Sequence, residues 1–208
     1  MKNNCFFKWI LSAVLLLMAS SLMRAADFEV DGIAYNILSD TEVEVTKKDN
    51  RYEGQVVIPS TVVYEGKTYS VKSIGNNAFE RCSSLTSIEI PNSVTSIGHG
   101  AFDECSSLTS IEIPNSVTSI GDQAFGGCSS LTSVVIPNSM TSIGKGAFYF
   151  CSSLKSVICY AENVPEIGWF AFSDVPLSEA TLYVPASALE AYKAAAELKN
   201  FGTILPNK

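Results

Sequence analysis

Histidine is all but missing from this chain, with His99 the only one in 208 residues, and charged residues make up just 17% of it. No Cys-x-x-Cys, no His-Glu-x-x-His and no glycine-rich phosphate loop occurs, so the usual spacings for zinc, metalloprotease and nucleotide chemistry are absent. A Ser-His-Asp triad would have to use His99. That residue falls at a site filled elsewhere by Asn76, Asp122, Lys145 and Trp169, and a site that accepts all of these faces solvent. The many serines recur at turn positions, which gives them a structural reason to be there. No basic block offsets the net charge of −7, and so acidic a body repels nucleic acid and anionic lipid.

Long apolar runs are scarce too. The stretch from Trp9 to Met23, behind Lys2 and Lys8 and ahead of Arg24-Ala25-Ala26, is too short and too broken by serine for a membrane span. It predicts a signal peptide over 1–26, cut after Ala25 or Ala26, with a cut after Ser21 as the rival. Loss of Lys2, Lys8 and Arg24 removes three positive charges and moves the net charge from −7 to −10. Cys5 precedes the apolar run, which does not fit a lipid-modified mature cysteine. The expected location is secreted or on the extracellular surface, with no integral span in the mature chain.

What the sequence has in abundance is one sentence repeated. Ser73–Thr95, Ser96–Thr118 and Ser119–Thr141 share the frame S-I-G-x-x-A-F-x-x-C-S-S-L-T-S-[IV]-x-I-P-N-S-[VM]-T, a period of 23 residues. Ser142–Pro165 keeps it as far as Val157 and then drifts, with Cys159 and Tyr160 in place of isoleucine and proline. A looser turn, Glu166–Pro185, keeps Ile167, Gly168, Ala171 and Phe172. A period of roughly 20 to 50 residues marks a solenoid, in which each repeat buries its apolar face only against its neighbours. Leu108-x-x-Ile111-x-Ile113 predicts a short strand, ended by Pro114 and turned by Asn115-Ser116. Val117 and Ile120 return to the core, Gly121 takes a tight or left-handed backbone, and Ala124-Phe125 with Cys128 predicts one helical or 3-10 turn.

The flanks predict covers for the raw ends of a parallel ladder. Residues 27–72 form an N-terminal β cap, with hairpins at Asp31-Gly32 and Glu65-Gly66 and an irregular first rung from Val56. Repeats fill 73–185. Residues 186–208 form a C-terminal helical cap, opened by a capping box over Ser187–Glu190, running to about Asn200, with Leu189, Tyr192, Ala196 and Phe201 against the last rung.

The frame I-G-x-x-A-F-x-x-C-S-S-L-T-S-I-x-I-P-N-S-V, from Ile74 to Pro185, resembles the BspA-like leucine-rich repeat of bacterial surface and secreted proteins. Phe28–Ile37 at the front, and Leu182-Tyr183-Val184-Pro185 with Ala186–Phe201 at the back, are similar to caps carried by members of that family. The resemblance implies a right-handed leucine-rich-repeat solenoid with its strands on the concave face. It also implies adhesion to, or recognition of, a protein or glycan of a host or neighbouring cell, and no cofactor is expected.

Candidate residues follow from the frame. Cys82, Cys105, Cys128 and Cys151 recur once per repeat; a straight column neither converges on a metal nor turns its side chains toward one another for disulfides, so they are expected as buried free thiols. Glu89 and Glu112 share a strand site on adjacent repeats, ~5 Å apart, the carboxylate spacing of retaining glycosidases. They stand in parallel on an open face, which fits an acidic stripe, and a carbohydrate-active enzyme is the lesser alternative. The sites the frame leaves free turn apolar and aromatic toward the C-terminal repeats, at Tyr149, Phe150, Ile158, Trp169, Phe170 and Tyr183. These are the candidate binding residues, although Trp169 and Phe170 fit equally beneath the terminal helix. A self-associating surface protein is the main alternative, with the chain a monomer or weakly self-associating.

Overall fold

The computed structural model describes residues 26–207; the predicted leader as far as residue 25, Cys5 included, lies outside the described residues. The N-terminal strands are β1 (Phe28–Val30), β2 (Ile33–Ile37), β3 (Glu42–Thr46), β4 (Gly54–Val57), β5 (Thr61–Tyr64) and β6 (Lys67–Ile74). β1 and β2 form one hairpin and β5 and β6 another. Each turn holds two residues at positive φ, Asp31 at 50° and Gly32 at 76°, then Glu65 at 49° and Gly66 at 76°. That is the turn geometry whose twist matches the strands it joins.

Two series of strands then alternate along the repeats. Longer ones are β7 (Leu85–Glu89), β9 (Ser110–Glu112), β11 (Ser133–Ile136), β13 (Ser156–Cys159) and β15 (Thr181–Val184). Between them fall the two-residue strands β8 (Ser96–Ile97), β10 (Ser119–Ile120), β12 (Ser142–Ile143) and β14 (Glu166–Ile167). The longer series stacks in parallel from β9 to β15 and ends on β16 (Thr203–Pro206), while β4 pairs with β7 at the other end. The short series continues the hairpin sheet through β6. Identical frame positions face one another, Ser119 against Ser142 and Ile120 against Ile143, so every repeat is one turn of a parallel solenoid.

Alternation within the frame decides which side chains go inside. Ile97, Ala101, Phe102, Cys105, Leu108, Ile111, Ile113 and Val117 of one turn are each at most 2% exposed. Phe79, Phe102, Phe125, Phe148 and Phe172 stack through the centre, with successive ring centroids 5.0, 5.0, 5.3 and 5.3 Å apart. Tyr52 closes this column at one end, 4.4 Å from Phe79, and Phe201 at the other, 5.5 Å from Phe172. The Tyr52 hydroxyl donates to the Thr46 carbonyl at 2.7 Å and accepts the Ala34 N–H at 3.0 Å, so the plug is anchored to the cap.

The cysteines form a second column. The thiols of Cys105, Cys128 and Cys151 donate to the carbonyls of Phe79, Phe102 and Phe125 on the preceding turn, at 3.1, 3.2 and 3.2 Å. The hydroxyls of the frame work similarly: Ser139 donates to the Val117 carbonyl and Thr141 to the Thr118 carbonyl, at 2.7 and 2.9 Å. Gly121 is tight and not left-handed. A Cβ there would lie 2.5 Å from the carbonyl carbon of Gly98.

The C-terminal cap departs from expectation. The helix covers only Leu189–Ala194, behind a 3-10 turn at Ala186–Ala188, and its N-cap is Ala188 with no side-chain cap. No capping box forms, because the Ser187 hydroxyl donates to Glu162 instead. Ala195 turns extended at φ −69°, ψ 122°, which ends the helix short of Asn200 and carries Leu198 and Phe201 into the core at 2% and 6% exposure. Ala196 is exposed, whereas the Tyr192 hydroxyl donates to the Ala161 carbonyl at 2.9 Å. The chain then adds β16 beside β15, so a strand completes the cover. No helix among the described residues is long and apolar enough to cross a membrane.

Candidate functional site

Between each short strand and the next longer one the chain makes tight turns, and these stack into a third ladder. Asn77, Phe79 and Arg81 donate their N–H groups to the carbonyls of His99, Ala101 and Asp103, at 2.9, 2.7 and 2.7 Å. Gly100, Phe102 and Glu104 repeat this one turn on, and Gly146, Phe148 and Phe150 do so onto Trp169, Ala171 and Ser173. Sending every second amide to the next turn requires left-handed backbone at two sites per repeat. Asn77, Gly100, Gln123, Gly146 and Phe170 fill one of them, and Arg81, Glu104, Gly127, Phe150 and Asp174 the other, all at φ between 55° and 65°.

Phe150 and Phe170 are therefore not simply free surface positions. A bulky side chain in the left-handed region costs of the order of 1 kcal/mol or more, and glycine is the residue that removes the cost. The phenylalanines themselves give no sign of this, and only the glycines at the equivalent positions 100, 127 and 146 mark it. Nothing repays the cost by deep burial: Phe150 is 47% exposed, Phe170 65% and Trp169 78%. Trp169 and Phe170 thus do not pack beneath the terminal helix. Tyr149 meets Phe150 edge to face at 4.2 Å between centroids. These four rings share the turn face on two adjacent rungs.

Ile158 and Tyr183 lie elsewhere, on the strand face, where Ile158 is paired with Val135 on one side and Tyr183 on the other. Both are half-buried. Their outward column continues from Glu112 through Val135, Ile158 and Tyr183 to Leu205. Glu89 and Glu112 open it at the N-terminal end, both exposed, beside a groove of about 970 Å³ lined also by Asn92, Asn115, Asn138, Val135 and Tyr160. Tyr160 and the asparagine column escaped the sequence reading because Tyr160 stands in the place of the frame's proline and the asparagines at its turn. The six candidate residues thus divide between two faces.

Electrostatics differ along the turn face as well. Arg81 Nε lies 3.1 Å from Glu104 Oε2 on the next turn. Burial, then the charges of Glu104 and Glu80, raises the Asp103 carboxyl above its ordinary value. Burial likewise pushes the thiols of Cys105, Cys128 and Cys151 upward, which keeps them protonated and poor nucleophiles. Among the described residues no group of three His, Cys, Asp or Glu side chains is placed to hold a metal.

The BspA type leucine rich repeat region matches residues 72–194 in six copies. With parallel turns, one phenylalanine per turn and the family frame running through more than half of it, the chain belongs to that family of leucine-rich repeat proteins. Among solved structures it is similar to the leucine rich repeat protein of T. pallidum, at 29% identity and TM-score 0.68 over 87% of this chain and 82% of that one. A leucine-rich repeat protein from Bacteroides ovatus matches at 28% identity and TM-score 0.57 over 77% of this chain, which spans 60% of that protein's length. A leucine rich cell surface protein from Faecalibacterium prausnitzii matches at 25% identity and TM-score 0.56 over 90% of this chain and 52% of that one. No curated protein matches closely enough to add a relative.

Proposed function

We propose that this chain is an exported recognition or adhesion protein that binds a protein or glycan of a host or neighbouring cell through its solenoid surface and performs no catalysis. One observation carries the proposal. Phe150 and Phe170 occupy left-handed backbone, where glycine would be more stable, yet Phe150 is about half exposed and Phe170 and Trp169 are mostly exposed. Aromatics that strain the backbone while leaving this much of their rings in solvent add little to the core, and such rings are common anchors of binding interfaces. The similarity to a leucine rich cell surface protein supports export to the surface. Glu89 and Glu112 are both exposed and line the same groove of the strand face, an acidic surface that this reading takes as part of the binding surface.

Phe150→Gly with Trp169→Ala tests this directly. Capture of host-cell and neighbouring-cell surface preparations by the immobilised variant should weaken by about 2 kcal/mol or more, while its melting temperature stays close to that of the parent. Glu80→Ala with Arg81→Ser, two turn-face sites on the first repeat, should leave capture nearly unchanged. If both double variants capture alike, the aromatic rungs are not the binding surface. Oligomers that form without any foreign ligand, and that the aromatic variant abolishes, would favour the self-associating alternative.

A further inference from the structure

The strand face carries a groove whose lining repeats. Pro91-Asn92, Pro114-Asn115 and Pro137-Asn138 follow the longer strands of three successive turns, which stack 5.0 Å apart at the phenylalanine column. The three asparagines are exposed and line one groove of about 970 Å³ with Glu89, Glu112 and Tyr160. Asparagine commonly stands in a turn to bond the backbone with its side chain. Here the turns close without it, because the N–H groups of Val94, Val117 and Met140 donate to the carbonyls of Pro91, Pro114 and Pro137 at 3.1, 3.0 and 3.3 Å. Among the described residues the side chains of Asn92, Asn115 and Asn138 make no hydrogen bond, and Glu89 and Glu112 make no ion pair. The column ends in the fourth repeat, where Ala161 replaces asparagine and Tyr160 replaces proline. The Tyr160 ring is 45% exposed.

The occupant follows from this chemistry. An asparagine amide offers donors and an acceptor and a carboxylate offers acceptors, which together match hydroxyl groups that both donate and accept. The same polar group on every turn, along a straight line, suits a ligand that repeats a polar unit along a straight line. An extended polysaccharide does so, with an advance per pyranose residue close to one turn of this solenoid, whereas the surface of a folded protein carries no such repeat. Tyr160 adds an aromatic face, against which the C–H face of a sugar ring packs while its hydroxyls stay in water. The two carboxylates and a net charge of −7 repel sulfated, sialylated and uronic acid chains. We infer that the groove binds a neutral, extended polysaccharide, one sugar per turn over Asn92, Asn115 and Asn138, with a ring stacked on Tyr160. The inference rests on the recognition function above and narrows the ligand of this face to a neutral glycan.

The probes are cellohexaose, xylohexaose and β-1,4-mannohexaose, each titrated into the ¹⁵N-labelled full chain while the side-chain amides of Asn92, Asn115 and Asn138 are followed. At least one should shift all three amides saturably, and its disaccharide, which reaches only two turns, should bind roughly tenfold more weakly. Hexagalacturonic acid, a chain with a carboxylate on every ring, should shift none. Asn115→Ala and Tyr160→Ala should each weaken the neutral hexasaccharide by about tenfold, with thermal midpoints confirming folding. Tyr160→Phe keeps the ring and should keep the affinity. No response to any of the three neutral chains overturns the inference, as does equal binding of disaccharide and hexasaccharide. A response to pentalysine with none to the sugars also overturns it and assigns the groove to a basic segment of a protein. Partner capture that depends on Phe150 and Trp169, while the sugars leave the asparagines unmoved, sinks this inference alone. Capture insensitive to those aromatics, with the sugar shifts present, sinks the aromatic surface instead and leaves the groove as the site of recognition.

Discussion

A thiol and an aromatic ring illustrate how the frame constrains single residues. Cys151 combines burial with a hydrogen bond to the carbonyl of Phe125, and burial pushes its pKa up from 9.0 to about 12. The fold therefore holds a proton that the unfolded chain releases sooner. Its stabilising contribution is fully present below pH 9 and is lost as the pH rises from there toward 12. Urea unfolding followed from about pH 8.5 to about 10.5 should show stability falling more steeply for the parent than for Cys151→Ala, by at most ~1.4 kcal/mol per pH unit. At neutral pH the substitution should cost on the order of 1 kcal/mol, because only a sulfur and one weak hydrogen bond are lost. Superimposable pH profiles would show that the thiol does not titrate differently in the fold. Phe150 is the opposite case, a residue whose backbone asks for glycine and whose ring meets solvent.

Within one turn of the solenoid the tightest demand falls on a glycine column. Gly98, Gly121, Gly144 and Gly168 stack so closely that a Cβ on any of the last three would lie 2.4 to 2.5 Å from backbone atoms of the turn before. The neighbour is backbone and has nowhere to swing. Gly121→Ala should therefore cost at least about 1–3 kcal/mol by overpacking, even though its φ is ordinary. Gly126→Ala, where the obstacle is the mobile end of Asp103, should cost much less. Chemical denaturation of the two variants separates close approach from generic loss of glycine flexibility, and equal effects would refute the stacking account. The repeat, its strand, its phenylalanine and its buried cysteine were all legible, because each follows from a side-chain pattern repeated every 23 residues. Backbone-determined features were not. Left-handed sites filled by Phe150 and Phe170 carry no side-chain signature of their own, and only comparison with glycine in sister repeats exposes them. The C-terminal helix misled for a related reason: strong helix formers, among them Ala186, Ala188, Ala191 and Ala194 to Ala196, crowd this stretch, yet burial of Leu198 and Phe201 outweighs local propensity.

Over the whole molecule, stability is set by what closes the two ends, since each turn is buried only by its neighbours. Tyr52 and the hairpins close the first turn, while Phe201, Tyr192 and β16 close the last. β16 is short and exposed and carries Pro206, which has no N–H to offer a further strand, so it ends the ladder in a form that resists pairing with another chain. Deleting residues 203–208 removes that strand but leaves Leu198 and Phe201 in place, whereas deleting 196–208 also uncovers Phe172. The shorter deletion should expose the edge of β15 and give concentration-dependent association by light scattering, with only a modest fall in melting temperature. The longer one should add a marked loss of stability, on the order of the 3 to 5 kcal/mol typical of removing a large buried aromatic. The difference between them separates the role of the strand, which prevents edge pairing, from that of the apolar plug, which holds the last turn folded. A shorter deletion that stays monomeric at every concentration would show that β16 does not guard the edge, and a longer one as heat-resistant as the parent would show that the terminal segment is no cap at all.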